Sequence, residues 1–183
     1  MAAADQEPMA APLPEDGEGL APAGPGAVLA EPGQRLLARI VDTLVVGLPV
    51  LLVISEFLPS ARVEIVAPPV VAGLLLIYEC VQLALWGRTL GKRFAGIQVV
   101  RQTVSAVDGE TILGTDPRPP GLVRSLLRTA VFTVPIAARP VPVFGLLAGL
   151  VWVGNAALMF EGSWRQALHD RVSGTVVVKR GAV

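Results

Sequence analysis

The chain has 183 residues, 52% of them hydrophobic and 16% charged, against roughly a quarter charged in soluble domains. A water-solvated fold of this size needs more Lys, Arg, Asp and Glu on its surface, so the apolar excess points to lipid as solvent and to an integral membrane protein. A single Cys and a single His exclude an internal disulfide and a His/Cys metal set, and no cofactor or nucleic-acid partner is expected.

The formal net charge of zero hides an asymmetry. Residues 1–34 carry Asp5, Glu7, Glu15, Asp16, Glu18 and Glu31 but no Lys or Arg, and 20 of them are Ala, Gly or Pro. With no periodic apolar face this stretch cannot offset its chain entropy, and it is expected to be a disordered acidic tail. It lacks a basic segment followed by an apolar one, so no cleaved signal peptide is expected.

Residues 36–58 and 65–86 are each long enough to cross a hydrocarbon core of about 30 Å. The short segment 60–64 between them predicts an antiparallel hairpin. Residues 122–138 and 141–160, separated by Arg139 and Pro140, predict a second hairpin. The rival reading lays 122–138 along the membrane surface and leaves three spans. Charge favours four: Arg88, Lys92, Arg93, Arg101, Arg118, Arg124, Arg165, Arg171, Lys179 and Arg180 then fall in or beside cytoplasmic segments, with Arg62 and Arg139 outside. The fold class expected is an all-α membrane protein, a four-transmembrane-helix bundle with a small cytoplasmic β element and both termini in the cytoplasm.

The β element is expected in loop 87–121. Residues 97–101 and 104–107 have strand character, and Asp108-Gly109 is a hairpin-turn signal before 110–113. Residues 175–179 form a similar β-branched run after Gly174 and are expected to pair with 97–101, with Val99 near Val177.

Polar residues inside the spans define the candidate site. Arg35, Arg39 and Asp42 share one helix face. Asp42 lies about 9 Å inside its span, where a carboxylate is costly unless paired, hydrated or protonated; Arg39 is its nearest local partner, and Arg35 is free to snorkel toward the interface. Glu79, Arg128 and Asn155 fall at a similar depth in the other spans, with Arg124 one turn from Arg128. These residues and Asp170 are expected to form a polar cluster, either a structural set of ion pairs or an ion or ligand site.

Other motifs weigh less. Gly145 and Gly149 suit close helix packing within the chain more than dimerisation. The segment 87–93 has three residues between its glycines and no following Ser or Thr, so it is not a nucleotide-binding loop. His169 beside Asp170 has no matching nucleophile motif, and no catalytic residue is assigned. Trp86 and Trp164 flank spans and are expected at the membrane interface.

Three ordered motifs together resemble the RDD family of bacterial membrane proteins, named for one Arg and two Asp. Residues 35–42 look like its R-x-x-A-x-x-x-D opening, 87–100 like its G-x-T-x-G-K-x-x-x-G-x-x-V-V stretch, and 168–171 with 174–177 like its closing segment. The resemblance covers about residues 33–180 and makes Arg35, Asp42 and Asp170 the name-giving residues. With 13 Arg among the 15 basic residues, a GC-rich, actinobacterial source is expected. The family's association with transport implies movement of an ion or small ligand through the cluster, by a homo-oligomer given so few spans. The alternative is a non-transporting scaffold that holds an unidentified protein partner.

Overall fold

The computed structural model describes residues 28–107, 110–160 and 164–181. The expected acidic tail up to residue 27 and the Asp108-Gly109 turn lie outside them.

Helix α1 spans Pro32–Phe57. Pro32 sits in its first turn, where the missing N–H costs nothing, and the Gln34 side chain accepts from the Glu31 N–H at 3.1 Å. Helix α2 spans Ser60–Trp86 and ends at Gly87 with φ of 65°. A Cβ there would stand 2.9 Å from the Val99 carbonyl, so this left-handed close approach needs glycine. Leu58 and Pro59 alone join the two helices, and residues 60–64, expected as a loop, are the first turn of α2.

The short helix α3 (Leu90–Phe94) leads into strands β1 (Ile97–Val107) and β2 (Glu110–Asp116), followed by α4 (Leu122–Ala137), α5 (Pro142–Ala157), a 3-10 turn at Leu158–Phe160, α6 (Leu168–Ser173) and strand β3 (Thr175–Lys179). The sheet order is β2-β1-β3, both pairs antiparallel, with Val99 opposite Val177 as expected.

The tail boundary at residue 34 is corrected. Leu29 bridges Val178, the Ala30 N–H donates to the Val177 carbonyl at 3.0 Å, and the Lys179 N–H donates to Val28 at 2.8 Å. Backbone pairing along the free edge of β3 needs no apolar periodicity, so composition gave no sign of it.

Three helices are long and apolar enough to cross a membrane: α1, α2 and Pro142–Phe160, with mean hydropathies of 2.2, 1.7 and 2.0. Helix α4, at 16 residues, reaches about 24 Å, short of the core thickness. The molecule is thus mostly helical, with membrane-type helices and a small sheet. Apolar side chains cover its outside, as on Leu146, Leu150 and Val153, in the pattern of a lipid-facing surface.

One face of the sheet packs Ile97, Val99 and Val177 on Ala30, Ala38 and Leu83, which seats it on the start of α1 and the end of α2. Its other face packs Val100, Val176 and Val178 on Trp164. Trp164, expected at the interface, is therefore buried, whereas Trp86 is exposed beside the Arg93 guanidinium. Between the long helices, Ala72, Leu75 and Ile136 form a third core with Phe132 and Trp152 packed on it. A Cβ on Gly149 would meet nothing within 4 Å and one on Gly145 would meet the Arg139 carbonyl, so the glycine pair does not bring two helices of this chain together.

Candidate functional site

Asp42 is completely buried, and its partner is a loop and not the neighbouring turn of its own helix. Oδ1 accepts from the Gly91 N–H at 2.8 Å and the Tyr78 hydroxyl at 2.9 Å, while Oδ2 accepts from the Thr89 hydroxyl at 2.5 Å. Thr89 caps α3 by accepting from the Lys92 N–H. A Cβ on Gly91 would collide with the Ala38 carbonyl oxygen and stand 2.8 Å from the Asp42 carboxylate carbon. Ala38 and Asp42 in one motif thus receive Thr89, Gly91 and Lys92 in the other.

Arg39, expected to neutralise Asp42, instead crosses to Glu79 on α2 and lies over the Phe132 ring at 3.7 Å from its centroid. Lys92 stands between the two acids, 3.7 Å from Asp42 Oδ2 and 3.8 Å from Glu79 Oε2. Burial pushes its ammonium down to about 8, opposed by the neighbouring Glu79 carboxylate.

Asp170 anchors the second half of the cluster. Its Oδ2 accepts from Arg35 at 2.9 Å and from the Ala167 N–H at 3.2 Å, and Oδ1 accepts from Arg128. Arg128 also donates to the Thr175 hydroxyl at 2.9 Å. Arg35, expected to reach the interface, turns inward because α6 presents a buried carboxylate within its range. Arg124 stands apart from the carboxylates and donates to the Gly174 carbonyl at 3.0 Å, closing the end of α6. Asn155 pairs through Oδ1 with Nδ1 of His169 at 2.8 Å. Burial and the surrounding Arg128, Arg39, Lys92 and Arg35 hold the imidazole well below its usual range, so it is neutral and Nδ1–H donates to Asn155.

The structure therefore brings together Arg35, Arg39, Asp42, Glu79, Arg128 and Asp170, adds Asn155 through His169, and leaves Arg124 to one side. The sequence reading missed Tyr78, Thr89, Gly91, Lys92 and Thr175; the Thr89 N-cap with Gly91 and Lys92 behind it was the available signal. Among the described residues no three of His, Cys, Asp and Glu converge as a metal set.

A cavity of about 280 Å³ opens beside this cluster, between α1, α4 and α5. Arg35, Arg39, Lys92 and Arg128 all line it, and among the described residues no carboxylate does. The acids stand behind the cations. A second cavity of about 610 Å³ lies farther from the sheet and is lined by Thr43, Gly47, Glu64, Pro68, Arg139 and Trp152, among others. Trp152 lines both cavities and stacks on Phe132 with ring centroids 5.2 Å apart.

A family model described as RDD family matches residues 29–174, so the chain belongs to the RDD family. No curated protein and no solved structure matches it.

Proposed function

We propose that this RDD-family chain is a small multi-pass transporter of the cell membrane, carrying an ion or small ligand through its buried polar cluster. The observation that carries this reading is the pair of cavities with Trp152 as common wall. One adjoins the charged cluster and the other lies toward the far ends of the helices, with Trp152 lining both and stacked on Phe132, which lines the first. Intramembrane ionisable groups beside cavities are the usual elements of such paths.

A fourth crossing by α4 belongs to this reading. Leu122, at its start, accepts from Cys80 near the end of α2 at 3.9 Å; Ile136 packs on Ala72 and Leu75; and Arg139 shares a cavity with Glu64, close to the start of α2. Helix α4 therefore runs along most of α2, which supports insertion over a surface position; with four crossings, the distribution of positive charge supports a cytoplasmic side for both termini. Catalysis is not part of the reading: His169 is committed to Asn155 and each cluster carboxylate to a cation.

Purified protein in sealed vesicles, assayed for movement of ions and small anions with internal dyes, tests the proposal. Flux that is lost in Glu79→Gln and altered in Trp152→Ala is expected; absence of flux for every solute tried, or flux indifferent to both substitutions, overturns it.

A further inference from the structure

Arg35, Arg39, Lys92 and Arg128 outnumber Asp42, Glu79 and Asp170 by one positive charge, and the excess is directional because only the cations line the cavity. Ion pairing also leaves donors unused. Arg128, with a side chain 3% exposed, and Arg35, at 9%, each keep a buried Nε–H without a hydrogen-bond partner, as does the indole N–H of Trp152. Buried N–H groups left unsatisfied are costly, and these three belong to residues that line the cavity, so the residues around it carry more donors than their own ion pairs use, Glu79 Oε2 being the one cluster carboxylate oxygen without a hydrogen bond. Apart from the mutually bonded Asn155 and His169, the remaining lining is apolar, including Leu36, Phe132, Trp152, Ala156 and Met159, and Leu36 is itself 62% exposed at the outer surface of α1. A positively charged end thus meets an apolar end that reaches the lipid-facing side.

We infer that this cavity binds an oxyanion, a phosphate or carboxylate, carried on an apolar body. The inference rests on the transport reading and deepens it by naming the class of ligand. Arginine supplies the paired donors that such an anion needs, and the aromatic and aliphatic wall takes the attached hydrocarbon. Two sources share this chemistry: the headgroup of an anionic lipid entering past Leu36, and a soluble amphiphilic anion.

Calorimetric titration of the full chain in phosphatidylcholine nanodiscs tests it, with butyl phosphate, inorganic phosphate and butylammonium as probes. Butyl phosphate is expected to bind at least about tenfold more tightly than inorganic phosphate, as burial of its methylenes requires, and butylammonium not to bind. The paired substitution Arg39→Gln with Glu79→Gln removes one lining cation without leaving its partner charge unpaired, and is expected to weaken butyl phosphate about tenfold. Should that variant not fold, the contrast between anion and cation in the unaltered chain decides alone. Phosphatidylglycerol in the disc that suppresses butyl phosphate binding identifies the lipid as the source; undiminished binding identifies a soluble anion. Equal binding of butylammonium, or no binding of butyl phosphate, overturns the inference. Anion binding without any flux would overturn transport alone, and cation flux without anion binding would overturn this inference alone.

Discussion

The backbone N–H of Gly91 donates to Asp42 Oδ1 at 2.8 Å, so a carboxylate inside the first span holds the start of a helix that follows the second. This contact explains why the chain tolerates an acid at that depth: the charge is met by one peptide N–H, two hydroxyls and an ammonium group. It also fixes the loop that carries Lys92 against the cavity.

Gly91→Ala is expected to destabilise the protein by about 1–3 kcal/mol, because the new methyl meets a backbone carbonyl and not a movable side chain. Gly33→Ala, where a Cβ meets nothing within 4 Å, is the control and should melt no lower than the unaltered protein. Thermal unfolding in detergent compares the two.

Asp170→Asn removes the charge that both Arg35 and Arg128 share. Loss of one partner from a buried pair costs about 3–5 kcal/mol, and here two guanidiniums lose their counter-charge together. Asp116→Asn, whose partner Arg118 is largely exposed, should change stability by less than about 1 kcal/mol. Denaturation monitored by circular dichroism ranks them.

Lys92, held at about 8, lies below the ordinary lysine value of about 10.4. The unfolded chain therefore binds the additional proton between these values, and the penalty for burying the ammonium, full below about pH 8, is relieved as pH rises toward about 10.4. Affinity for butyl phosphate moves the opposite way, falling as pH passes through about 8 because a lining cation is lost. The groups bearing on this titration are Glu79, Arg39, Asp42 and Arg128. Lys92→Gln should flatten the fall; titrations at pH 7 and 9 on both proteins check it.

Cysteines at Val99 and Val177, cross-strand partners in the sheet, should form a disulfide under mild oxidation in membranes when Cys80 is replaced by Ser. A pair placed at Val99 and Thr175, two positions out of register, should form one much less readily. Gel mobility before and after reduction reads both.

The mostly helical, membrane-type character and the common level of Asp42, Glu79 and Arg128 were legible because each depended on composition or helical rise: apolar runs measure helix length, and depth along a helix measures the level of a side chain. The β1 and β3 pairing was legible from β-branched runs after Gly96 and Gly174. Partner choice was not. Periodicity places Arg39 one turn from Asp42, yet the guanidinium crosses to Glu79 because the α3 loop already fills the space around Asp42. Trp164 flanked an apolar run, and only the second face of the sheet decides that it is buried.

The contact between Arg35 and Asp170 joins residues 135 positions apart, with a consequence for how the chain is made. At about 5–20 residues per second, the ribosome delivers the carboxylate roughly 7–27 s after the guanidinium. Through that interval Arg35 waits for Asp170, whereas Arg39 and Asp42 meet Glu79 and Lys92 sooner, so the docking of α6 on α1 is a late event in assembling the cluster.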